Sequence, residues 1–477
     1  VYVNGVQINR GENADYTINY NLSEISFNTT FPITNDMRIW IEFQYSDRNY
    51  TRFISYNEVS YDSEKMNIAA YFYSENDAKN QPLQQILSTE QKQILANAGN
   101  NSAAMIAESA FLDTFNENKI LYKKVTNGAV ETFEYSTSKT DELYNVTFTN
   151  RGANNGDYIL DRTIAIGNIF VFVGINQGDY QPVINLIPPT KSQIFVVQSD
   201  YNPTKKTEIN SEIAISNNDA NLFSNLDDNQ NKAVAAKVSW QQILIDKKWR
   251  LKSNINHEFV QQNFQSEQGW EPVEFNRDWN LLTNNATKNF FQSELSLQNK
   301  TDDFVLYRFN SLNYTDIFKG IKHELQSKLN IKNTSFFMNG SLLENTSLLE
   351  NNSFFKAKVK AEHSLKKVWL GAFINFETNN RKDINTKQFV NTIHRFKEYE
   401  GYVGIGDSTK IFAKIGFNYR NNDSIKLNQF TEINNRKTLY IQSKLVKNKN
   451  TNLNVFANYR ITTNNFYEDE KALNSRI

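Results

Sequence analysis

Oxygen-bearing side chains are concentrated in the stretch NNDANLFSNLDDNQNK, which covers residues 217–232. Within it, Asp227, Asn229 and Asn231 stand at alternate positions, the spacing with which an EF-hand loop begins to surround Ca²⁺. The glycine that should follow is Lys232, and the acidic ligand further downstream is missing. The pattern therefore favours a polar loop between two strands over a calcium site, and we predict no resident metal.

Catalytic side chains do not form a recognisable set. The stretches GINQGDY and YVGIGDS contain closely spaced glycines, but neither leads into a helix that could hold a phosphate. The motifs Gly-x-Ser-x-Gly and His-Glu-x-x-His do not occur. Each of the four histidines falls within a strand pattern without a partner at metal-ligand spacing: His257, His323, His363 and His394. We predict a protein that is not an enzyme and uses no cofactor.

The composition narrows the class of protein. The 477 residues include 52 basic and 52 acidic side chains, so no net charge draws the chain to nucleic acid. Cysteine is absent, which excludes disulfides and thiolate chemistry. Aromatic residues make up 13% of the chain, although its mean hydropathy is −0.60. This combination is typical of strands with one apolar face and one polar face.

Neither a membrane-spanning helix nor a signal peptide is visible. No run approaches 18 consecutive apolar residues. The first residues, VYVNGVQINR, already have the pattern of a strand, and the last, EDEKALNSRI, resemble the start of another. We therefore expect the chain to be an internal piece of a longer protein.

Apolar and polar side chains alternate with a period of two in TKIFAKIGFNYRNN, residues 409–422, and in SFFKAKVKAEHS, residues 353–364. In the second stretch, three lysines lie on one face of the strand and Phe355 lies on the other face. A soluble core would not accept those lysines together, whereas the watery lumen of a membrane barrel would. A soluble sheet with one solvated face is the alternative, but we favour the barrel, whose apolar face meets lipid. The predicted lipid-facing residues are Val368, Leu370, Ile374, Ile411, Ile415, Phe417, Leu453 and Val455. The predicted lumen-facing residues are Lys356, Lys358, Lys360, Lys414, Arg420, Asn454, Asn458 and Arg460.

Strand and link lengths favour the same architecture. Such patterns are roughly 10–12 residues long, close to the ~9–11 residues that a tilted strand needs to cross a bilayer. The predicted links alternate between short and long, as in outer-membrane barrels with tight periplasmic turns and longer outer loops. Between about 265 and 319 the strand pattern is lost. The predicted links are 332–334, 345–352, 365–366, 379–387, 405–408, 421–436 and 448–450. Candidates for aromatic belts at the interfaces are Trp249, Trp270, Trp279 and Trp369.

The chain divides into four regions. Residues 1–46 are expected to form a small sandwich-like β module, and 47–76 two barrel strands. Residues 77–190 break the pattern, with a short helix predicted by a capping box at Ser88 and Gln91. This insertion is too long for an ordinary loop, so we expect a folded plug in the lumen or a cap above its mouth. Residues 191–477 are expected to be a meander of transmembrane strands.

The apolar pieces of the insertion need cover. They are Ile169 to Val173 and Val183 to Ile187. A lumen lined with polar groups would gain little from them. We therefore expect them to pack on each other or on the 1–46 module.

Several blocks resemble, in order, very large outer-membrane proteins of Bacteroidota. The first is RGENADYTINYNLSEISFNTTFPITNDMRIWIEFQYSDRNYTRF, residues 10–53. The later ones are NQPLQQILSTEQKQILANAG, ENKILYKKV, SNNDANLFSNLDDNQNK, EFNRDWNL, GDSTK and ALNSRI. The likeness covers essentially the whole chain, and the layout is distantly similar to the giant barrel translocon of the type 9 secretion system. The resemblance implies a large all-β transmembrane barrel in the outer membrane of a Gram-negative bacterium, but no particular activity.

Two classes of function follow from these expectations. The first is a protein translocation or transport pore, a gated channel whose lumen holds the insertion. The second is a structural or assembly scaffold of an outer-membrane complex without transport activity. A soluble extracellular adhesin is a third alternative. The expected partners are outer-membrane lipid, other envelope proteins and a protein cargo, and no nucleic acid.

Overall fold

A computed structural model shows long antiparallel strands joined edge to edge in a closed barrel, 17 strands in the part of the chain that is described. The structure describes residues 1–11, 14–19, 24–28, 31, 33, 37–43, 49–83, 85–127, 130–266, 269, 271–301, 303–390, 393–407, 411–447 and 452–476. The prediction of an all-β protein dominated by a large antiparallel barrel is confirmed.

Two small units accompany the barrel. The initial module contains β1 (Tyr2–Val3), β2 (Val6–Gln7), β3 (Tyr16–Asn19), β4 (Glu24–Phe27) and β5 (Ile39–Trp40). The insertion contains α1 (Thr89–Ala98), a 3-10 turn (Ser102–Ala104), β8 (Ile106–Glu108), β9 (Ala110–Asp113), β10 (Tyr122–Asn127), β11 (Val130–Tyr135), β12 (Leu143–Val146), β13 (Thr149–Asn150), β14 (Tyr158–Ile164), β15 (Gly167–Phe172), β16 (Tyr180–Gln181) and β17 (Val183–Asn185). It lies between β6 (Tyr50–Asp62) and β7 (Met66–Pro82), the first two barrel strands, and the rest of the barrel.

The remaining barrel strands follow one another around the wall. They are β18 (Lys191–Thr204), β19 (Thr207–Asp219), β20 (Lys232–Asp246), β21 (Trp249–Val260), β22 (Lys288–Asn299), β23 (Phe304–Tyr314), β24 (Phe318–Ile331), β25 (Thr334–Ser347), β26 (Glu350–Leu365), β27 (Val368–Asp383), β28 (His394–Gly406), β29 (Phe412–Lys426), β30 (Gln429–Lys447), β31 (Asn452–Asn464) and β32 (Glu470–Arg476), with a 3-10 turn (Asp228–Gln230) and helix α2 (Phe275–Trp279) between them. β7 pairs with β18, so the insertion joins two strands that are neighbours in the wall. Because 17 is odd, β32 and β6, which meet at the closure, run in the same direction.

Period-two alternation gives the wall two different faces. On the outer, convex face Ile415 and Phe417 are 49% and 48% exposed and stand opposite Ile441 and Leu439 of the next strand. On the concave face Lys414 is only 17% exposed, because it lies between the rings of Tyr402 and Tyr440. An apolar convex face and a polar concave face are the arrangement of a transmembrane barrel.

The apolar band covers only part of each strand. On β27 the convex residues are apolar from Val368 to Phe376 and then polar at Thr378, Asn380 and Lys382. The apolar stretch matches the ~9–11 residues that cross a bilayer, although β27 has 16 residues. The strands therefore continue beyond the band at one end of the barrel.

The two ends of the barrel differ in their links. At one end of the barrel, which we call the short-link end, every link has between two and five residues. These links are 63–65, 205–206, 247–248, 300–303, 332–333, 366–367, 407–411 and 448–451. At the other, the long-link end, they are 83–190, 220–231, 261–287, 315–317, 348–349, 384–393, 427–428 and 465–469. The asymmetry predicted from the sequence is present, but two predicted long links, 345–352 and 421–436, are wrong. Those residues extend the strands instead, and each leaves only a two-residue turn.

The predicted helix of the insertion is confirmed. The hydroxyl of Ser88 accepts a hydrogen bond from the backbone N–H of Gln91, whose side chain accepts one from the Ser88 N–H. Leu95 is fully buried, and the helix ends at Gly99. The first boundary expected for the insertion, residue 76, lies inside β7, which continues to Pro82. No helix in the described residues is long and apolar enough to span a membrane.

The convex face offers a direct stability test. Ile415 lies in the middle of the apolar stretch of β29, so Ile415→Arg is expected to cost about 2–4 kcal/mol of folding free energy. Guanidinium titration of the barrel in lipid vesicles measures this cost. The control is Asn454→Arg at an exposed position on the concave face of β31, expected to stay within about 0.5 kcal/mol of the parent. Equal costs for both variants would contradict a lipid-facing Ile415.

Candidate pore and its constriction

The wall places the sequence-predicted residues on two faces. Strand register runs without a bulge through β25, β26 and β27. Phe355 therefore lies on one face of β26, and Lys356, Lys358 and Lys360 lie on the other face. The residues on the concave face are Lys356, Lys358, Lys360, Lys414, Arg420, Asn454, Asn458 and Arg460. Those on the convex face are Val368, Leu370, Ile374, Ile415, Phe417, Leu453 and Val455. Ile411 is not in a strand: it is the last residue of the 407–411 link and is 51% exposed.

The 261–287 link folds inward and lies against the lumen wall. Its Trp279 is 2% exposed and packs in a cluster with Leu281 and Ala286 of the link. The wall supplies the rest of the cluster from four successive strands: Leu312, Tyr314, Phe318, Leu343 and Phe354. Asn345 also donates to the backbone carbonyl of Trp279, at 2.7 Å. A lumen-facing apolar patch thus exists where this link covers it.

Polar contacts fasten the same link to β26 and β27. Arg277 pairs with Glu377, and Asp278 pairs with Lys356. Asn280 and Asn379 exchange two amide hydrogen bonds, at 2.9 and 2.7 Å. Both asparagines are at most 9% exposed, so each buried amide is satisfied by the other.

A buried lysine directly after the link joins the middle of the link to the wall. Lys288, whose side chain is 5% exposed, lies 2.7 Å from Glu258 and 2.6 Å from Glu271. Its Nζ also lies 5.0 Å from the ring centre of Phe275. Two carboxylates and a ring face compensate the burial of this charge, and removing one carboxylate would leave it less well paired.

A second lumen cluster lies near the short-link end. The ammonium of Lys414 lies between the rings of Tyr402 and Tyr440, at 4.2 and 4.9 Å from their centres. Tyr402 lies directly over Gly371, where an added Cβ would come within 2.0 Å of the ring. The aromatic rings therefore require glycine on the neighbouring strand, and they line the wall here instead of the membrane interface.

The interfacial role proposed for two tryptophans is wrong. Trp369 faces the lumen beside Tyr402, and Trp279 lies in the inward link. Trp249 begins β21 at the short-link end. Trp270 lies outside the described residues.

Much of the concave face stays open to solvent. The side chain of Lys360 is 47% exposed although it lies beside Glu362. On β6, Ile54 and Tyr56 of the concave face are 62% and 61% exposed. The inward link therefore narrows the lumen on the side of β22 to β27 and leaves the side of β6 uncovered.

The 220–231 link holds the insertion at the long-link end. The amide of Asn221, 1% exposed, donates to the carbonyls of Leu95 (2.8 Å) and Gly99 (2.7 Å). The Ser224 hydroxyl donates to the carbonyl of Ala96 at 2.8 Å. These donors satisfy carbonyls that the last turn of a helix leaves without partners.

The weak calcium candidate lies in this link. Asp227 accepts a hydrogen bond from the backbone N–H of Asn100, at 2.7 Å. Asn231 donates to Asp228 at 3.1 Å. The structure thus gives Asp227 a structural role at the end of α1. Among the described residues, no group of three or more His, Cys, Asp or Glu side chains could hold a metal ion.

The interior of the insertion is built around two tyrosines in facing sheets. Tyr122 accepts a hydrogen bond from the N–H of Phe170, and Tyr158 accepts one from the N–H of Phe133, so each sheet caps the other. Burial raises the pKa of both phenols. Phe148 packs on both rings, at 5.1 and 4.8 Å. The 169–173 piece lies in this cluster.

The other apolar piece packs elsewhere. Ile184 and Leu186 join Leu95 and Phe223 in a cluster between α1 and the 220–231 link. The contacts described for both apolar pieces are thus within the insertion and with this link, apart from the carbonyl of Ile187, which accepts a hydrogen bond from Tyr50 of β6 at 2.7 Å. None is with the initial module.

Each histidine has a local setting. His323 shares a hydrogen bond with Tyr307 and His363 with Thr334, both at 2.8 Å. His394 lies 3.1 Å from Glu377. His257 lies on β21.

A family model described as a domain of unknown function, DUF8818, matches residues 1–47. No curated protein matches the chain. Among solved structures, it is similar to Pseudomonas aeruginosa OccK5 (OpdH), at 11% identity over 60% of this chain and 90% of that one, with a TM-score of 0.28. The outer membrane protein opdK from Pseudomonas aeruginosa matches at 9% identity over 60% and 92%, with the same score. A BenF-like porin from Pseudomonas fluorescens Pf-5 matches at 8% identity over 60% and 90%, again at 0.28.

The class of the protein follows from the barrel itself. A closed antiparallel sheet satisfies its backbone hydrogen bonds internally, and its convex face is apolar over the thickness of a bilayer. Every link at one end has at most five residues and every longer link lies at the other end, which is the asymmetry of the outer-membrane type. The protein is a transmembrane β-barrel of the outer membrane of a Gram-negative bacterium.

The inward link could not be predicted from the sequence, because its apolar residues do not recur with the period of a strand or a helix. Most of it falls between about 265 and 319, where the strand pattern is lost. A signal was nevertheless present, since EFNRDWNL, residues 274–281, sets Arg277 and Asp278 directly before Trp279. Two opposite charges beside a large aromatic residue are what a segment attached to a charged wall requires.

Replacing Trp279 tests the attachment of the link. The Trp279→Ala variant loses the buried indole, which costs about 3–5 kcal/mol in a packed site. We expect faster hydrogen exchange across 271–281, measured by mass spectrometry. The matched control is Trp240→Ala on the convex face of β20, where the side chain is 37% exposed. Unchanged exchange in Trp279→Ala would show that the polar contacts alone hold the link.

Replacing Asn221 tests the attachment of the insertion. In Asn221→Ala the carbonyls of Leu95 and Gly99 lose their donor, at a cost of about 1–3 kcal/mol. Faster exchange of the α1 amides is expected by the same method. Asn225→Ala, at an exposed position of the same link, serves as the control. If the α1 amides exchange at the same rate in both variants, the helix is held by its apolar face and not by Asn221.

Proposed function

We propose that the protein is a pore that carries hydrophilic cargo across the outer membrane, and that the 261–287 link sets the width of the pore. The observation that carries this proposal is the open, polar concave face. Lysine, arginine and amide side chains line it, and Lys360 remains 47% exposed to solvent. A barrel that served only as an anchor would have no need to keep a charged interior hydrated.

The charges along the wall are mixed in sign. Arg308 lies 2.6 Å from Glu294 and 3.4 Å from Glu324, and Lys414 lies 3.6 Å from Glu400. Ion-selective channels concentrate one sign of charge in a ring. Neighbouring opposite charges suit a cargo that itself carries both signs, such as a polypeptide. The resemblance to large Bacteroidota barrels and to the type 9 translocon supports a protein cargo.

The asymmetry of the links supports one orientation. Outer-membrane barrels have short turns in the periplasm and longer segments outside. On this basis the short-link end faces the periplasm, and the initial module and the insertion lie at the outer mouth. The insertion then acts as a cap above the mouth, fastened through the 220–231 link, and the inward 261–287 link is the constriction.

A scaffold without transport is supported by a different observation. β9 is an edge strand of its sheet, and Phe111 and Leu112 are 62% and 67% exposed. An exposed apolar edge is a ready site for pairing with another chain. Envelope proteins bound there would make the barrel an anchor for a complex.

Single-channel conductance in planar bilayers separates the two functions. Three forms are compared: the intact chain, a form with a short Gly-Ser linker in place of 263–285, and one with such a linker in place of 85–188. The second linker is feasible because Asn76 of β7 and Lys191 of β18 are paired neighbours. We expect the largest rise in conductance when the inward link is replaced, because that segment lies in the lumen.

The remaining outcomes are equally informative. A rise after removal of 85–188 supports the cap, and conductance at the intact level means that the insertion does not restrict passage. No conductance in any form contradicts a pore and favours the scaffold. Heat-modifiable migration on SDS gels shows that each form is a folded barrel.

A further inference from the structure

A groove lined mainly by amide, hydroxyl and charged residues lies on the outer side of the barrel wall, above the apolar band. It has a volume of about 810 Å³ and extends across β23 to β27 at the long-link end. Thr346 pairs with Asn351 on the next strand, and Asn351 pairs with Lys382 on the strand after it. Because paired residues point to the same side of a sheet, all three side chains lie on the convex face. Phe389 of the 384–393 link closes one side of the groove. The groove is therefore outside the lumen and separate from the pore.

The height of the groove can be estimated from β27. Lys382 lies six residues beyond Phe376, the last apolar residue of the convex face. At about 3.3 Å per residue and a tilt of about 40°, that places it roughly 15 Å above the apolar band. The polar headgroups of a bilayer begin at the border of its hydrocarbon. The headgroup layer of an ordinary phospholipid is only about 5–8 Å thick, so a lipid that covers the band reaches the level of Lys382 only if its headgroup is larger, as a saccharide headgroup is.

The charge of the groove is basic. Lys319 and Lys382 are exposed, and neither is paired with a carboxylate in the described part of the chain. The ammonium of Lys382 lies 4.8 Å from the ring centre of Phe389, which holds it in place. Glu344 is the acidic side chain of the lining, and Asn313 and Asn351 supply amides. Two cations with neighbouring amides match a phosphorylated saccharide, with the ammonium groups on phosphate and the amides on hydroxyls.

We propose that this groove binds the phosphorylated saccharide headgroup of lipopolysaccharide in the outer leaflet. The groove is continuous with the surface that acyl chains cover, and its charge complements the phosphates. The proposal rests on the proposed orientation, with the long-link end outside. It gives the extended strands β25, β26 and β27 a role that crossing the bilayer alone does not require.

Lipid A bound to the purified protein tests the proposal. The full chain is extracted from outer membranes in mild detergent, and lipid A per mole of protein is measured by mass spectrometry. The Lys319→Gln/Lys382→Gln variant is expected to retain about tenfold less lipid A or lower, since each lysine near an anionic surface strengthens binding several-fold. Glu344→Gln, which removes the acidic group, is expected to retain more than the parent.

The matched control carries the same change at the other end of the barrel. Lys332 and Lys366 are exposed in tight turns of the short-link end. Lys332→Gln/Lys366→Gln should retain lipid A at the parent level. If this control loses lipid A and the groove variant keeps it, the proposed orientation is wrong. The conductance experiment tests the pore independently of that outcome.

Further arms separate the ligand from its alternatives. Excess inorganic phosphate should not displace lipid A, because free phosphate lacks the saccharide and the acyl chains. Displacement by phosphate alone would overturn a headgroup site. Full retention by the groove variant, with its heat-modifiable fold intact, would overturn the proposal. So would a co-purifying envelope protein that is lost with the two lysines while lipid A stays constant.

Discussion

The absence of hydrogen-bonding partners in hydrocarbon is the constraint on which the rest of this structure depends. A strand in lipid must satisfy every backbone N–H and C=O with another strand, and a closed sheet does so. Closure then fixes the chemistry of both faces, since successive side chains point to opposite sides. The convex side has to be apolar over one bilayer thickness, and the concave side is free to be charged. The same constraint moves all irregular backbone to the two ends or into the lumen.

The inward link shows what an irregular segment needs at that location. Its backbone cannot join the wall, so side chains attach it instead: an apolar cluster around Trp279, the amide pair of Asn280 and Asn379, and two ion pairs. Burying the indole contributes several kcal/mol, whereas the ion pairs have partly buried side chains whose desolvation offsets much of their attraction. The ion pairs have a different consequence. They fix which strands the link lies against, because each charge on the wall has one opposite partner on the link.

The features that could be predicted from the sequence are those governed by a short period. The faces of β26, β27 and β29 follow from period-two alternation, and α1 follows from the capping box at Ser88. Two predicted links failed because polar residues can line a strand that extends beyond the membrane: Asn351 and Asn421 look like loop residues, yet each belongs to a paired strand. The inward link failed for another reason. Its partners, such as Glu377, lie about a hundred residues away, and no local pattern reveals a contact of that range.

The long-link end is held together by contacts of unequal strength. The insertion is fastened by the buried Asn221, whereas the initial module reaches the inward link through Arg38, which lies 3.1 Å from Glu274 and is 45% exposed. An exposed ion pair of this kind contributes little. Glu274 also lies 3.7 Å from Arg277, which in turn pairs with Glu377 of the wall. A chain of charges thus runs from the module through the constriction to β27. Its weakest member is the outermost one, so a partner that draws the module away would break the Arg38 contact first and leave the buried cluster around Trp279 intact.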